Sequence, residues 1–335
     1  MTSKCIFNCL ILIFSSLIAE VLVAQQSGYQ LPPQAIVDIV DAKPTPTVSL
    51  SPDNEWMLMV DRDAMPDIAD VSRRMLQLAG MRIDPASNGP FQTGYLRGLT
   101  LRSRSADPSG IQNEDTHFKI PLPENPRISS VSWSHNSKDF AFVLVTDKGQ
   151  QLWVSTVGSP KEPKMLTDRL NTVLGGFSWM PDGKSILCRL VPEDRGSEPE
   201  TSTVPTGPNI QESYGNKSPT RTYQDLLQNP TDEALFEYFT TTQLAIIGVD
   251  GKTKKMGDAQ IISRAEPSPS GDYLLVSTIK KPFSYLLTYR SFPRSTQTWK
   301  VNDAASGPNV HTIVDRPMDE NIPVSYTHLT LPTKA

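Results

Sequence analysis

Val131-Ser-Trp-Ser-His-Asn-Ser-Lys-Asp-Phe-Ala-Phe-Val143 runs an apolar strand into a tight polar turn and out into a second apolar strand. The unit recurs as Val48-Ser-Leu-Ser-Pro-Asp-Asn-Glu-Trp-Met-Leu-Met-Val60, Phe177-Ser-Trp-Met-Pro-Asp-Gly-Lys-Ser-Ile-Leu-Cys-Arg189 and Ala265-Glu-Pro-Ser-Pro-Ser-Gly-Asp-Tyr-Leu-Leu-Val-Ser277. Proline presets φ at the first central turn position, and Asn, Asp or Gly tolerate a left-handed corner. Alternating or continuous apolar flanks fit a hairpin buried on one or both faces. Aligned on Ser51, Ser134, Met180 and Ser268, the copies are spaced 83, 46 and 88 residues apart. The short spacing matches one propeller blade, which takes roughly 40–50 residues.

A second recurring element makes the long spacings single blades with insertions. Gln151-Leu-Trp-Val-Ser-Thr-Val157 precedes a polar turn and Pro163-Lys-Met-Leu-Thr167, and Gln243-Leu-Ala-Ile-Ile-Gly-Val249 precedes Asp250-Gly251 and Lys254-Lys-Met256. Tyr95–Leu101 and Thr298–Val301 are weaker copies. The expected fold is all-β: a partial β-propeller of about four blades of four-stranded antiparallel sheet, with short helical insertions. The blades are expected at about 48–106, 131–167, 177–257 and 265–315.

Within the insertions, Ile68, Val71, Met75 and Leu78 fall at helical intervals, with Gly80 at the C′ position. This predicts an amphipathic helix over 66–79. Residues 191–229, rich in Pro, Ser, Thr and Glu, read as a long loop. Thr231–Phe239 reads as a capped helix that packs Leu235 and Phe239.

The first 24 residues read as a secretory signal. Lys4 precedes the apolar run Cys5–Ala19, and Val21-Leu-Val-Ala24 offers a small residue for cleavage before Gln25. An uncleaved anchor is the rival reading. Residues 25–47 are expected to be an extended segment leading into a propeller domain over 48–323. Loss of the signal removes Cys5 and Cys9 and leaves Cys188 alone, in an apolar strand as a small hydrophobe. Charged residues are 20% and the formal net charge is −4, which offers no basic footprint for nucleic acid.

No catalytic, cofactor-binding or metal-ligating residue emerges. The chain has no G-x-S-x-G nucleophile elbow. His117, His135, His311 and His328 stand apart from any metal-ligand spacing. His135 occupies the turn position held by Pro52, Pro181 and Pro269 in the other copies, which makes it a solvated turn residue. Gly183-Lys184-Ser185 lacks the preceding glycine of a phosphate loop, since position 178 is Ser. Lys252, Lys254 and Lys255 read as a solvated strand edge that discourages pairing.

Segments outside the repeats carry a resemblance. Gly28-Tyr-Gln-Leu-Pro-Pro33, Asp38-Ile-Val-Asp-Ala42, Leu78-Ala-Gly-Met-Arg-Ile-Asp84, Val204-Pro-Thr-Gly-Pro208, Thr222-Tyr-Gln-Asp-Leu-Leu227 and Lys281-Pro-Phe-Ser-Tyr285 resemble, in this order, the glutamyl endopeptidase group of the prolyl oligopeptidase family of serine peptidases. The resemblance spans residues 28–323. It implies a parent whose N-terminal β-propeller covers an α/β-hydrolase domain with a Ser-Asp-His triad. Such a propeller filters substrates by size, and family members prefer to cleave after Glu. No catalytic residue carries over to this chain, because the triad belongs to the hydrolase domain. The implied role is the non-catalytic propeller of a secreted or periplasmic peptidase that takes peptide substrates and needs no cofactor. The alternative is a stand-alone binding propeller, and a propeller enzyme active at its central channel is a third option. Val324-Ser-Tyr-Thr-His-Leu-Thr-Leu-Pro-Thr333 back-translates into a transposon-type sequencing adapter, so 324–335 is expected to be a read-through tail.

Overall fold

The structure, a computed structural model, describes residues 31–104, 117–200, 223–302 and 310–318. The signal, the Val204–Pro208 segment, His328 and the expected tail lie outside these residues. The chain divides into two compact units, Met1–Pro44 and Thr45–Ala335.

The first unit contains helix α1 (Gln34–Val40), where the sequence reading expects an extended segment. Pro33 holds φ −49° and ψ 142° at the N-cap, and the Gln34 side-chain amide donates to Asp38 Oδ1 at 2.8 Å, one helical turn on. No residue of α1 is buried. Packing therefore left no apolar periodicity to read.

The second unit is built on antiparallel β-structure. All four repeats form hairpins: β1 (Thr47–Leu50) with β2 (Trp56–Arg62), β8 (Ile128–Trp133) with β9 (Asp139–Thr146), β12 (Ser178–Trp179) with β13 (Ser185–Leu190), and β15 (Thr253–Pro267) with β16 (Tyr273–Ile279). The turns share one geometry. The amide of Ser51, Ser134, Met180 and Ser268 donates to the carbonyl five residues on, and the amide three residues on returns a bond to it. The returning residue has positive φ in every copy: 62° at Asn54, 60° at Ser137, 62° at Gly183 and 78° at Gly271. This is the left-handed corner that the sequence pattern requires.

Each hairpin is extended by two further strands. The first group adds β6 (Leu96–Ser103) and β7 (His117–Lys119), so its fourth strand comes from beyond residue 106. The second adds β10 (Gly149–Thr156) and β11 (Ser159–Leu170). The third adds β14 (Thr241–Gly248) and the first part of β15, whose remainder opens the fourth group. The fourth adds β17 (Arg294–Lys300) and β18 (Val310–Arg316). Between groups the ladder thins to single residue pairs, Leu96↔Ile128 and Leu170↔Leu190.

Consecutive groups pack face to face. Leu58, Val60, Leu99 and Leu101 meet Ile128, Phe140, Phe142 and Leu144. Ala141, Val143, Leu152 and Val154 meet Trp179, Ile186, Cys188 and Ala245 from the next group. Met180, Leu187 and Leu244 meet Ala265, Leu274, Val276 and Trp299. Strand β9 thus buries both faces, with Phe140 and Phe142 on one side and Ala141 and Val143 on the other, which accounts for its unbroken apolar run. Each fully buried phenylalanine here contributes about 1.5–3 kcal/mol.

The predicted helix over 66–79 is not formed as one element. Helix α2 covers only Ile68–Val71, and β3 (Leu76–Leu78) turns back through Ala79 and Gly80 into β4 (Met81–Asp84), which β5 (Gly89–Pro90) joins. Ala79 (φ 52°) and Gly80 (φ 80°) supply the two positive-φ positions of a primed hairpin turn, so Gly80 is a turn residue and not a helix cap. Leu78 and Met81 are buried there by tertiary contacts. The second predicted helix is present as α3 (Pro230–Thr240), capped by Asn229 Oδ1 accepting from the Asp232 amide at 2.9 Å.

Candidate functional site

Three groups carry long insertions between their second and third strands: residues 63–95, 191–240 and 280–293. That connection leaves a group at the end opposite its repeat turn. All three insertions therefore gather at one end, and their apolar residues merge into one core. Leu78, Met81 and Ile83 from the first meet Leu227, Leu235, Phe236 and Phe239 from the second and Phe283 and Phe292 from the third. Phe236 contacts both Phe283 (ring centroids 5.0 Å) and Phe292 (5.6 Å) edge-on.

The Ala79–Gly80 turn is the hub. Gly80 donates its amide to the Asp225 carbonyl at 2.7 Å, and the Ala79 carbonyl accepts from the Tyr289 amide at 2.9 Å. Arg82 Nε reaches Asp225 Oδ2 at 3.0 Å. A side chain at Gly80 would place Cβ 2.4 Å from Thr288 Cγ2, so close approach and positive φ both demand glycine.

Beside this core lies a buried charge network that the sequence reading does not predict. Helix α2, capped by the Asp67 carboxylate on the Ala69 amide at 3.0 Å, presents Asp70, which is 5% exposed. Arg97 Nη2 donates to Asp70 Oδ2 at 2.7 Å, and Arg97 Nε pairs with Asp63. Arg73 pairs with Asp84, which is 2% exposed, and donates to the Gln92 carbonyl and the Tyr95 hydroxyl at 2.7 Å. Arg127 stands between Asp70 (3.8 Å) and Asp147, whose carboxyl it holds below the usual carboxylate range. Burial pushes the Tyr95 phenol up. A cavity of about 350 Å³ borders the network, lined by Arg62, Asp63, Met65, Pro66, Tyr95 and Leu96.

Only the Asp70–Arg73 step, three residues apart with Arg73 just past the end of α2, leaves a sequence signal. The other partners are brought together from separate strands and loops. With each acid matched to an arginine, this network positions the first insertion between groups and offers no free base or nucleophile.

Residues singled out in the sequence behave as follows. His135 is exposed in its turn. His117, His135 and His311 form no ion pair with a carboxylate among the described residues, and no His, Cys, Asp and Glu grouping suited to a metal occurs there. Gly183-Lys184-Ser185 lies in the third repeat turn, with Ser185 Oγ donating to Asp182 Oδ2 at 2.8 Å. Cys188 is buried, and desolvation pushes its thiol up to about 12. Lys252 and Lys255 are exposed, as the solvated-edge reading expects, and only Lys254 is partly buried. Lys255 Nζ pairs with Glu193 at 2.8 Å and Lys254 Nζ donates to the Val301 carbonyl. The stacking of the third group on the fourth brings Val301 within reach of Lys254.

No helix among the described residues is long and apolar enough to cross a membrane. No family model matches the chain. Over 311 residues the chain is 32% identical to "Probable glutamyl endopeptidase, chloroplastic" of Oryza sativa subsp. japonica, covering 89% of the chain and 32% of that relative. The Arabidopsis thaliana protein of the same name is 31% identical over 311 residues, with 89% and 31% covered. The chain thus spans about a third of the length of these relatives. Among solved structures, apo prolyl oligopeptidase B from Galerina marginata aligns with 83% of the chain and 32% of its own, at a TM-score of 0.43 and 11% identity. By its sequence similarity over 89% of its length, the chain is related to the glutamyl endopeptidases.

Proposed function

We propose that the four strand groups are successive blades of a β-propeller that serves as the non-catalytic, substrate-admitting part of a glutamyl endopeptidase-like serine peptidase. One observation carries this reading: 32% identity to a glutamyl endopeptidase relative extends over 311 residues and 89% of the chain. The four matched turns and face-to-face groups support the blade assignment, with bounds near 48–106 (extended by β7), 131–167, 177–257 and 265–315. The end formed by the three insertions is the face proposed to meet peptides or the catalytic domain. Hydrolysis itself is assigned to a hydrolase domain outside residues 31–318, where a serine nucleophile, a histidine base and an oxyanion hole would act. The apolar run at Cys5–Ala19 supports export, to the periplasm or the medium, as part of the proposal.

The experiment compares the 335-residue chain with the product of the longer reading frame on Glu-containing peptides, with and without a serine-directed inhibitor. The proposal expects no turnover from the chain and inhibitor-sensitive turnover from the longer product. Serine peptidase activity from the chain, or inhibitor-insensitive cleavage by the longer product, overturns it. Peptide binding without cleavage by either would favour the stand-alone binding propeller.

A further inference from the structure

The fourth group has one face packed on the third group through Ala265, Leu274, Val276 and Trp299. Strand alternation turns Arg264, Ser277 and Thr296 to the other face. There Arg264, Ser277, Thr296 and Val314 form one cross-strand row, and Arg294 and Arg316 are direct register partners beside it. Together with Tyr289 and Arg290 these residues border a cavity of about 390 Å³. Its lining contains four arginines and no carboxylate.

The arginines are unevenly satisfied. Arg264 is held by a two-pronged pair to Glu266 at 2.8 and 2.6 Å. Asp315 points from the neighbouring position of β18 and pairs with Lys280 at 3.3 Å. No carboxylate among the described residues pairs with Arg290, Arg294 or Arg316. Arg294 Nη2 donates to the Tyr289 and Arg290 carbonyls at 3.2 and 2.6 Å, while its buried Nε has no hydrogen-bond partner. Like charges directly opposite across an antiparallel pair destabilise it. A buried donor left unpaired adds a further cost. Burial, and then Arg316, push the Arg294 guanidinium below its ordinary range. An anion between the two guanidinium groups relieves both penalties at once, and guanidinium forks match the paired oxygens of carboxylate and phosphate.

We propose that this cavity is an oxyanion site, in which Arg294, Arg316 and Arg290 hold a carboxylate or phosphate group offering at least two acceptor oxygens. The site stands on the cavity and its charges and does not rest on the peptidase reading. Its ligand could be a free anion or an acidic side chain of a peptide.

Thermal shift and titration calorimetry on the 335-residue chain test it, in chloride buffer of constant ionic strength. The probes are inorganic phosphate, glutarate, and a Glu-bearing peptide beside its Gln counterpart. Saturable stabilisation by phosphate or glutarate alone supports the site and assigns it to free anions; a response to the Glu but not the Gln peptide supports it and assigns the acidic side chain. Arg316→Gln and the exposed Arg290→Gln should each weaken binding by about tenfold or more, the size expected for a charge-assisted hydrogen bond. Lys252→Gln, on a distant exposed turn, should leave it unchanged. Without anion, Arg316→Gln should raise Tm by removing the facing charge. No saturable response to any probe, binding in both arginine variants as tight as in the unaltered chain, or a lowered Tm for anion-free Arg316→Gln overturns the proposal.

Discussion

The amide of Asp53 donates to the hydroxyl of Ser137 at 3.0 Å, tying the first repeat turn to the second across 84 positions of chain. The next step is similar: Asn136 Nδ2 donates to the Gly183 carbonyl at 3.0 Å. Tryptophans run a parallel ladder, with Trp133 Nε1 on the Ser49 carbonyl (3.4 Å) and Trp179 Nε1 on the Ser132 carbonyl (3.2 Å). The turn motif therefore closes each hairpin and also links the first three in series.

Gly183→Ala tests that double role. The corner has φ 62°, and an added Cβ would lie 2.7 Å from Asn136 Nδ2. A loss of about 1–3 kcal/mol in urea unfolding is expected from backbone strain. Asn54→Gly, at the matching corner of the first turn, should change stability by no more than about 0.5 kcal/mol, because both residues accept positive φ.

Arg73→Met leaves Asp84, 2% exposed, without its cation. The expected cost is about 3–5 kcal/mol by denaturant titration. Adding Asp84→Leu should recover a large part of that loss, since the second change removes the stranded charge. Simple addition of the two costs would show that the residues do not act as a pair.

Phe236→Ala removes the ring shared by Phe283 and Phe292 at the centre of the insertion core. A destabilisation of about 3–5 kcal/mol is expected, read by thermal unfolding. Protease nicking within residues 191–240 should accelerate in the same variant, because α3 loses its anchor.

Acid should destabilise the chain modestly, through three ion pairs whose carboxylates are solvent-exposed. Hydrogen bonds from Arg127 to Asp147, from Lys255 to Glu193 and from Arg264 to Glu266 hold these carboxyls below their ordinary 3.8 for Asp and 4.5 for Glu. The folded state then binds fewer protons than the unfolded one, so this stability is present above the ordinary values and lost as pH falls through the folded ones. Tm should be nearly flat between about pH 7 and 5 and fall below about pH 4. A falling Tm between pH 7 and 5 would assign acid sensitivity to other groups.

Cys188 is sealed between strands, with its thiol pushed up to about 12. A maleimide reagent at neutral pH should leave it unlabelled in the folded chain and label it in urea, because only the thiolate reacts. Rapid labelling without denaturant would contradict its burial.

The local elements were legible in the sequence because they are local in cause. Proline, Asn, Asp and Gly set the turn in three of the four repeats, the second placing Ser137 at its corner, and an unbroken apolar run marked β9 as a strand buried on both faces. Helix α3 announced itself through a cap and the Leu235 and Phe239 spacing. What failed were segments with little local preference of their own. Residues 66–79 carry helical spacing, yet Leu76–Leu78 became a strand, because Ala79–Gly80 turn it back on Met81 and bind Asp225 and Tyr289. The Asp70 network and the facing pair Arg294 and Arg316 were likewise invisible, since their partners come from different strands and loops. The sequence by itself determined the hairpins and their order. Only the tertiary structure decided which charges meet and which remain unpaired, because that depends on how separately formed groups stack.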